Sequence, residues 1–119
     1  MTVYSVKPNW VEFEEEDGEF YALATFWNRD TGDMLTLARD PDEEDCKGVS
    51  ICIGNQEYEH TTFDVTARLT ANGLRVEFPT SSGQLGGYTE ARIEFKTTDE
   101  CRATLKRLFR GMQLHLDDA

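Results

Sequence analysis

Between Thr62 and Phe78, apolar side chains fall at every second position, twice over. Phe63, Val65, Ala67 and Leu69 alternate with other residues, then Ala71-Asn72-Gly73 intervenes, and Leu74, Val76 and Phe78 alternate with Arg75 and Glu77. A period of two puts one set of side chains on one face of a strand and does not fit a helical stripe. Asn-Gly between two such runs signals a tight hairpin. The segment therefore predicts two antiparallel strands with a shared buried face, and it sets the pattern for most of the chain.

The same reading extends on both sides. Glu19 to Asn28 is apolar at both parities, with Phe20, Ala22, Ala24 and Phe26 on one face and Tyr21, Leu23, Thr25 and Trp27 on the other. That predicts a central strand covered on both sides. Asn28-Arg29-Asp30-Thr31-Gly32 is turn chemistry. Leu35 and Leu37 share a face of the next run, then Val49, Ile51 and Ile53; residues 56–62 are polar and predict a short strand. Pro79 ends the strand before it, residues 79–87 read as a loop, and Ala91, Ile93 and Phe95 point inward. Thr97 as N-cap with Glu100 as its capping-box partner starts one helix. Cys101, Leu105, Leu108, Phe109 and Met112 form its apolar stripe. The tail from Gln113 reads equally as frayed or as a short strand. The expectation is an α+β fold: about seven or eight strands, mainly antiparallel, with one C-terminal amphipathic helix packed on the sheet. Its 119 residues suit a single domain over 1–119.

Charge is where the chain becomes specific. The net charge is −11, and Glu12 to Asp45 alone holds 13 acids against 2 bases. The whole imbalance lies in that third of the chain, which gives its field a direction. The acidic excess argues against nucleic acid as a partner, because phosphate contacts need a basic face. No apolar run approaches the roughly 20 residues of a membrane span. The N-terminus turns acidic without a signal-like apolar core, so the chain reads as cytoplasmic.

Chemistry is harder to assign. Cys46, Cys52 and Cys101 are odd in number and lack the spacing of a disulfide framework or zinc site. His60 with Ser81 or Ser82 has no nucleophile motif around it. Asp40, Asp42 and Glu44 alternate as calcium ligands do, but Asp45 stands where the loop needs Gly and Ile51 where it needs Glu. The glycines of 79–87 lack a phosphate-loop lysine. No catalytic residue, metal ligand or cofactor site is therefore assigned; a small intracellular enzyme and a weak calcium module stay as alternatives. What remains is recognition. If residues 19–27 and 33–38 form a hairpin, the acidic stretches before and after it meet at one end. That end would hold Glu14, Glu15, Glu16 and Asp17 beside Asp40, Asp42, Glu43, Glu44 and Asp45. Such a patch suits a basic protein surface and speeds its capture.

The stretch Met34 to Gly48, a strand ending Leu-x-Leu-x-Arg followed by an acidic loop and Gly, resembles the immunity protein 10 family of bacterial polymorphic toxin systems. The similarity runs from about Phe20 to Met112 and is carried best by Arg39, Asp42, Glu43, Asp45 and Gly48. Tyr58-Glu59-His60-Thr61 departs from it, standing where a Tyr-Gly-Gly-like step is expected. The resemblance implies a non-enzymatic antidote that binds a cognate toxin domain in the cytoplasm. The acidic residues would contact the toxin's basic surface, with Phe13, Phe20 or Tyr58 as aromatic anchor.

Overall fold

The computed structural model describes residues 3–15, 22–39, 48–54, 58–77 and 87–116, the side chains of Glu15 and Tyr58 excepted. Among the described residues, ten strands form two five-stranded sheets, with a single helix before the last strand. One sheet is a continuous antiparallel meander: β2 (Trp10–Glu15), β3 (Ala22–Trp27), β4 (Met34–Arg39), β5 (Val49–Ile53) and β6 (Tyr58–Thr62), in that order. The other gathers the two ends of the chain: β1 (Val3–Val6), β9 (Glu90–Glu94), β8 (Gly73–Glu77), β7 (Thr66–Thr70) and β10 (Gln113–Leu116). The strands are two or three more than the sequence predicts, and they divide between two sheets.

Alternation is what each strand uses to find its face. Ala22, Ala24 and Phe26 of β3 are fully buried, as are Leu35 and Leu37 of β4 and Val49 and Ile51 of β5. Ala67 and Leu69, Leu74 and Val76, and Ala91 and Ile93 supply the buried face of the second sheet. All join one core cluster together with Cys101, Leu105, Leu108 and Phe109 of the helical region. The Phe26 ring shows how the parts close on each other. It meets Phe13 of β2 edge-on at 5.8 Å and Phe95, just after β9, at 5.0 Å. Burying a side chain of this kind contributes about 1.5–3 kcal/mol. The second face of β3 is only half covered: Leu23, Thr25 and Trp27 are intermediate in exposure.

The helix α1 (Asp99–Leu108) lies against β3, flanked by β2 and β4. Its N-cap is Thr98, one residue later than expected, accepting from the Cys101 amide at 3.2 Å. Thr97 instead donates its hydroxyl to the Thr70 carbonyl and ties the helix entry to β7. The helix also explains β10. Strands β9 and β10 run parallel, and a parallel return needs a crossover, which residues 95–112 provide. Gly111 at φ 76 turns the chain out of the helix and into β10.

Two expectations change in the hairpin region. Its two-residue turn is Ala71-Asn72, because Thr70 pairs with Gly73 and Gly73 opens β8. Glycine is needed there for close approach: a Cβ would overlap the Ile93 carbonyl of β9. Phe63 does not join the inward face. It lies outside β7 and is 54% exposed.

Candidate functional site

The strand ends that anchor the two acidic segments lie at one end of the meander. Glu15 pairs with Ala22, Ala22 with Arg39, Arg39 with Val49 and Val49 with Thr62, so these residues form one row across five strands. The chain leaves β2 at Glu15 and enters β3 at Ala22; it leaves β4 at Arg39 and enters β5 through Gly48. With neighbouring strands about 4.8 Å apart, the midpoints of these two pairs of anchors are roughly 10 Å apart. The connections themselves lie outside the described residues, and with them Glu16, Asp17, Phe20, Asp40, Asp42, Glu43, Glu44, Asp45 and Cys46. Ser81 and Ser82 lie outside them too.

The anchors are built firmly. The Arg39 guanidinium donates from one nitrogen to the Leu108 carbonyl at 3.0 Å and the Arg110 carbonyl at 2.6 Å, near the Met112 sulfur. These carbonyls belong to the helix's C-terminal end, where partners are lacking and a cation is favoured. The Phe63 ring stands 5.9 Å from the same guanidinium. Gly48, at φ 112, backs onto β6 so closely that a Cβ would overlap the Thr62 carbonyl. Arg39 and Gly48 thus fix the two ends of the 40–47 segment, and their work is structural.

Along β2 the side chains divide. Phe13, a candidate anchor from sequence, turns inward against Phe26 and packs on the core. Glu14 stands opposite Leu23, on the outer face, in the same strand parity as Glu12 and Trp10. Tyr58 begins β6 opposite Ile53. At the other end of the outer face lies a group that sequence reasoning missed. Trp10 pairs with Trp27 across β2 and β3, and the Arg29 guanidinium sits 4.0 Å from the Trp10 ring and 5.1 Å from Trp27. The turn that presents Arg29 is rigid: Asn28 Oδ1 accepts the amides of Asp30 and Thr31, and Asn9 Oδ1 accepts that of Arg29. Trp10 remains 41% exposed and Glu12 exposed. The outer face of β2 therefore runs from an aromatic–cation cluster through Glu12 and Glu14 to the anchors of the acidic segments. Only the pairing of residue 10 with residue 27 reveals it.

Among the described residues, no group of three His, Cys, Asp or Glu side chains is placed to hold a metal ion. His60 lies within β6 opposite Ile51, and no described helix is long and apolar enough to cross a membrane. Cys101 is fully buried, and burial pushes its thiol up to about 12, with Glu100 adding and Arg102 opposing. At pH 8 it therefore stays protonated. Native protein should leave Cys101 unmodified by a small thiol reagent while unfolded protein reacts fully; equal rates would contradict its placement. The shift also has a sign for stability. The folded form holds this proton more tightly than a thiol of ordinary pKa 9.0. Its contribution is full below pH 9 and is lost as pH rises towards 12. The denaturant midpoint should fall above pH 9, and less steeply in Cys101→Ala.

No family model, curated protein or solved structure matches this chain.

Proposed function

We propose that this protein is a non-enzymatic immunity protein that binds a cognate bacterial toxin domain and neutralises it in the cytoplasm. The observation that supports this most is the single row Glu15, Ala22, Arg39 and Val49, which brings the anchors of both acidic segments to one end of a rigid sheet. Most of the chain's −11 net charge originates in and around those segments. A toxin that acts on nucleic acid needs a basic cleft, and an acidic sheet end of this kind fills such a cleft in place of phosphates.

In this reading the carboxylates supply steering and the outer face of β2 supplies adhesion. Trp and Arg dominate interface energetics where they can be desolvated, and Trp10 with Arg29 is already ordered for that purpose. Phe13 supports the surface from beneath through Phe26. Partner binding then needs no metal or cofactor. The test is co-expression with the product of the gene beside its own: growth is restored if that product is the toxin.

A further inference from the structure

The sheet that gathers the chain ends carries an arginine row across its outer face. Register sets Ser5, Arg92, Arg75, Arg68 and His115 side by side, one from each of β1, β9, β8, β7 and β10. Like charges directly opposite on neighbouring strands destabilise a sheet. Three adjacent guanidinium groups therefore call for a counter-charge. Part of it is present. Glu90, 4% exposed, accepts from Arg75 Nε at 2.9 Å with one oxygen and from Arg92 Nε with the other. Glu77 adds a longer contact to Arg75 at 3.7 Å. Arg68 is exposed and has no ion-pair or hydrogen-bond partner among the described residues; its neighbour across β10 is His115.

Beside the row, towards the Ala71-Asn72 turn, the surface forms a shallow, solvent-open depression of about 370 Å³. Arg68, Arg75 and Arg92 line one side, with Thr70, Asn72 and Glu94 around Gly73. Gly73 lets the β9 backbone come close at Ile93, so Arg75 and Arg92 stand on a tightly packed strand pair. The guanidinium fork matches phosphate oxygens in geometry as well as charge. Thr70 and Asn72 add polar groups of neutral charge. The depression is larger than a bare phosphate and leaves the rest of a ligand open to solvent.

We infer that this open depression binds the phosphate group of a phosphorylated small molecule, held by Arg68, Arg75 and Arg92. Arg68 is the cation that the ligand completes, while Arg75 and Arg92 are pre-oriented by Glu90. Glu94, paired with Lys7 at 3.4 Å, is the one lining carboxylate and weakens the site for anions. The inference does not rest on toxin binding, which concerns the other sheet.

The test is an amide NMR titration of the full chain with sodium phosphate and, separately, glycerol 3-phosphate, at ionic strength held constant with sodium chloride. Saturable shifts are expected at Gly73, Arg68 and Arg92, with the ester binding more tightly than inorganic phosphate. Arg68→Ala weakens binding about tenfold or more, the loss of one charge-assisted hydrogen bond. Glu94→Gln strengthens it about threefold, by removing a nearby like charge. The spectra themselves report whether each variant is folded. No saturable shift with either anion by about 20 mM, where even a millimolar site is filled, overturns the inference. So does an unchanged affinity in folded Arg68→Ala. Equal affinities for the two anions would overturn the small-molecule ligand and leave a free-phosphate site.

Discussion

Replacing Gly48 by alanine lowers the stability of the fold by about 3 kcal/mol or more and the Tm by about 10 °C or more. Two costs combine at this residue. Its φ of 112 lies where side chains are rarely tolerated, and such a conformation alone costs about 1–3 kcal/mol. The added Cβ would also overlap backbone atoms of Thr62 and Phe63, which cannot swing aside as a side-chain tip can. Relief requires β5 and β6 to separate at Val49 and Thr62, the row that carries the anchors. Gly32 is the internal control. It has a positive φ of 84 but nothing near a Cβ, so Gly32→Ala should cost about 1–2 kcal/mol, the conformational part alone. Thermal or urea unfolding measures both. A Gly48→Ala variant as stable as Gly32→Ala would contradict the close packing of residue 48 on β6.

The second large effect falls on binding. If the protein is the antidote proposed above, reversing Asp42, Glu43 and Asp45 to Lys should slow its association with the toxin about 100-fold at low salt, within the range by which steering alters on-rates. Each reversal moves the charge by two, so the net charge goes from −11 to −5, and the change is local. Urea unfolding of the reversed variant, alongside wild type, separates a loss of binding from a loss of fold. The difference between variant and wild type should shrink near 1 M salt, where the Debye length is about 3 Å. Stopped-flow association at several salt concentrations reads both effects. An unchanged rate in the reversed variant would remove the 40–45 segment from the interface.

How much of this was legible in sequence depends on the distance over which each feature acts. Strands β3, β4, β5, β7, β8 and β9 announce themselves through alternation within a few residues, and neighbours in sequence pair as hairpins. The helix stripe is equally local. Strands β1 and β2 were missed because β1 is only four residues long and the alternation of β2 is masked by its run of glutamates. The division into two sheets depends on β1 pairing with β9 and β10 with β7, contacts between distant parts of the chain that leave no periodic trace. Thr97 and Thr98 are chemically equivalent caps, and only the Thr97 bond to Thr70 decides between them.

The candidate site divides along the same line. Its charge excess is a count, and the hairpin that brings its two halves together is a local inference; both are available from sequence. The Arg39 clamp on the helix end spans 69 residues to Leu108 and is not. Nor is the pairing of Trp10 with Trp27, which creates the platform for Arg29, or the arginine row, which exists only once β7, β8 and β9 are in register. Phe13 shows how strand parity changes such a reading. An aromatic residue inside an acidic stretch reads as an exposed anchor, while strand parity leaves Phe13 half-buried, packed against the core beside Phe26.

The most direct test is growth. Cells expressing the protein encoded by the adjacent gene should stop growing, and co-expression of this chain should restore growth, while the Asp42→Lys, Glu43→Lys, Asp45→Lys variant, produced at equal level, should not. Continued arrest in the presence of the wild-type chain, or equal rescue by the reversed variant, would contradict an antidote that acts through its acidic end.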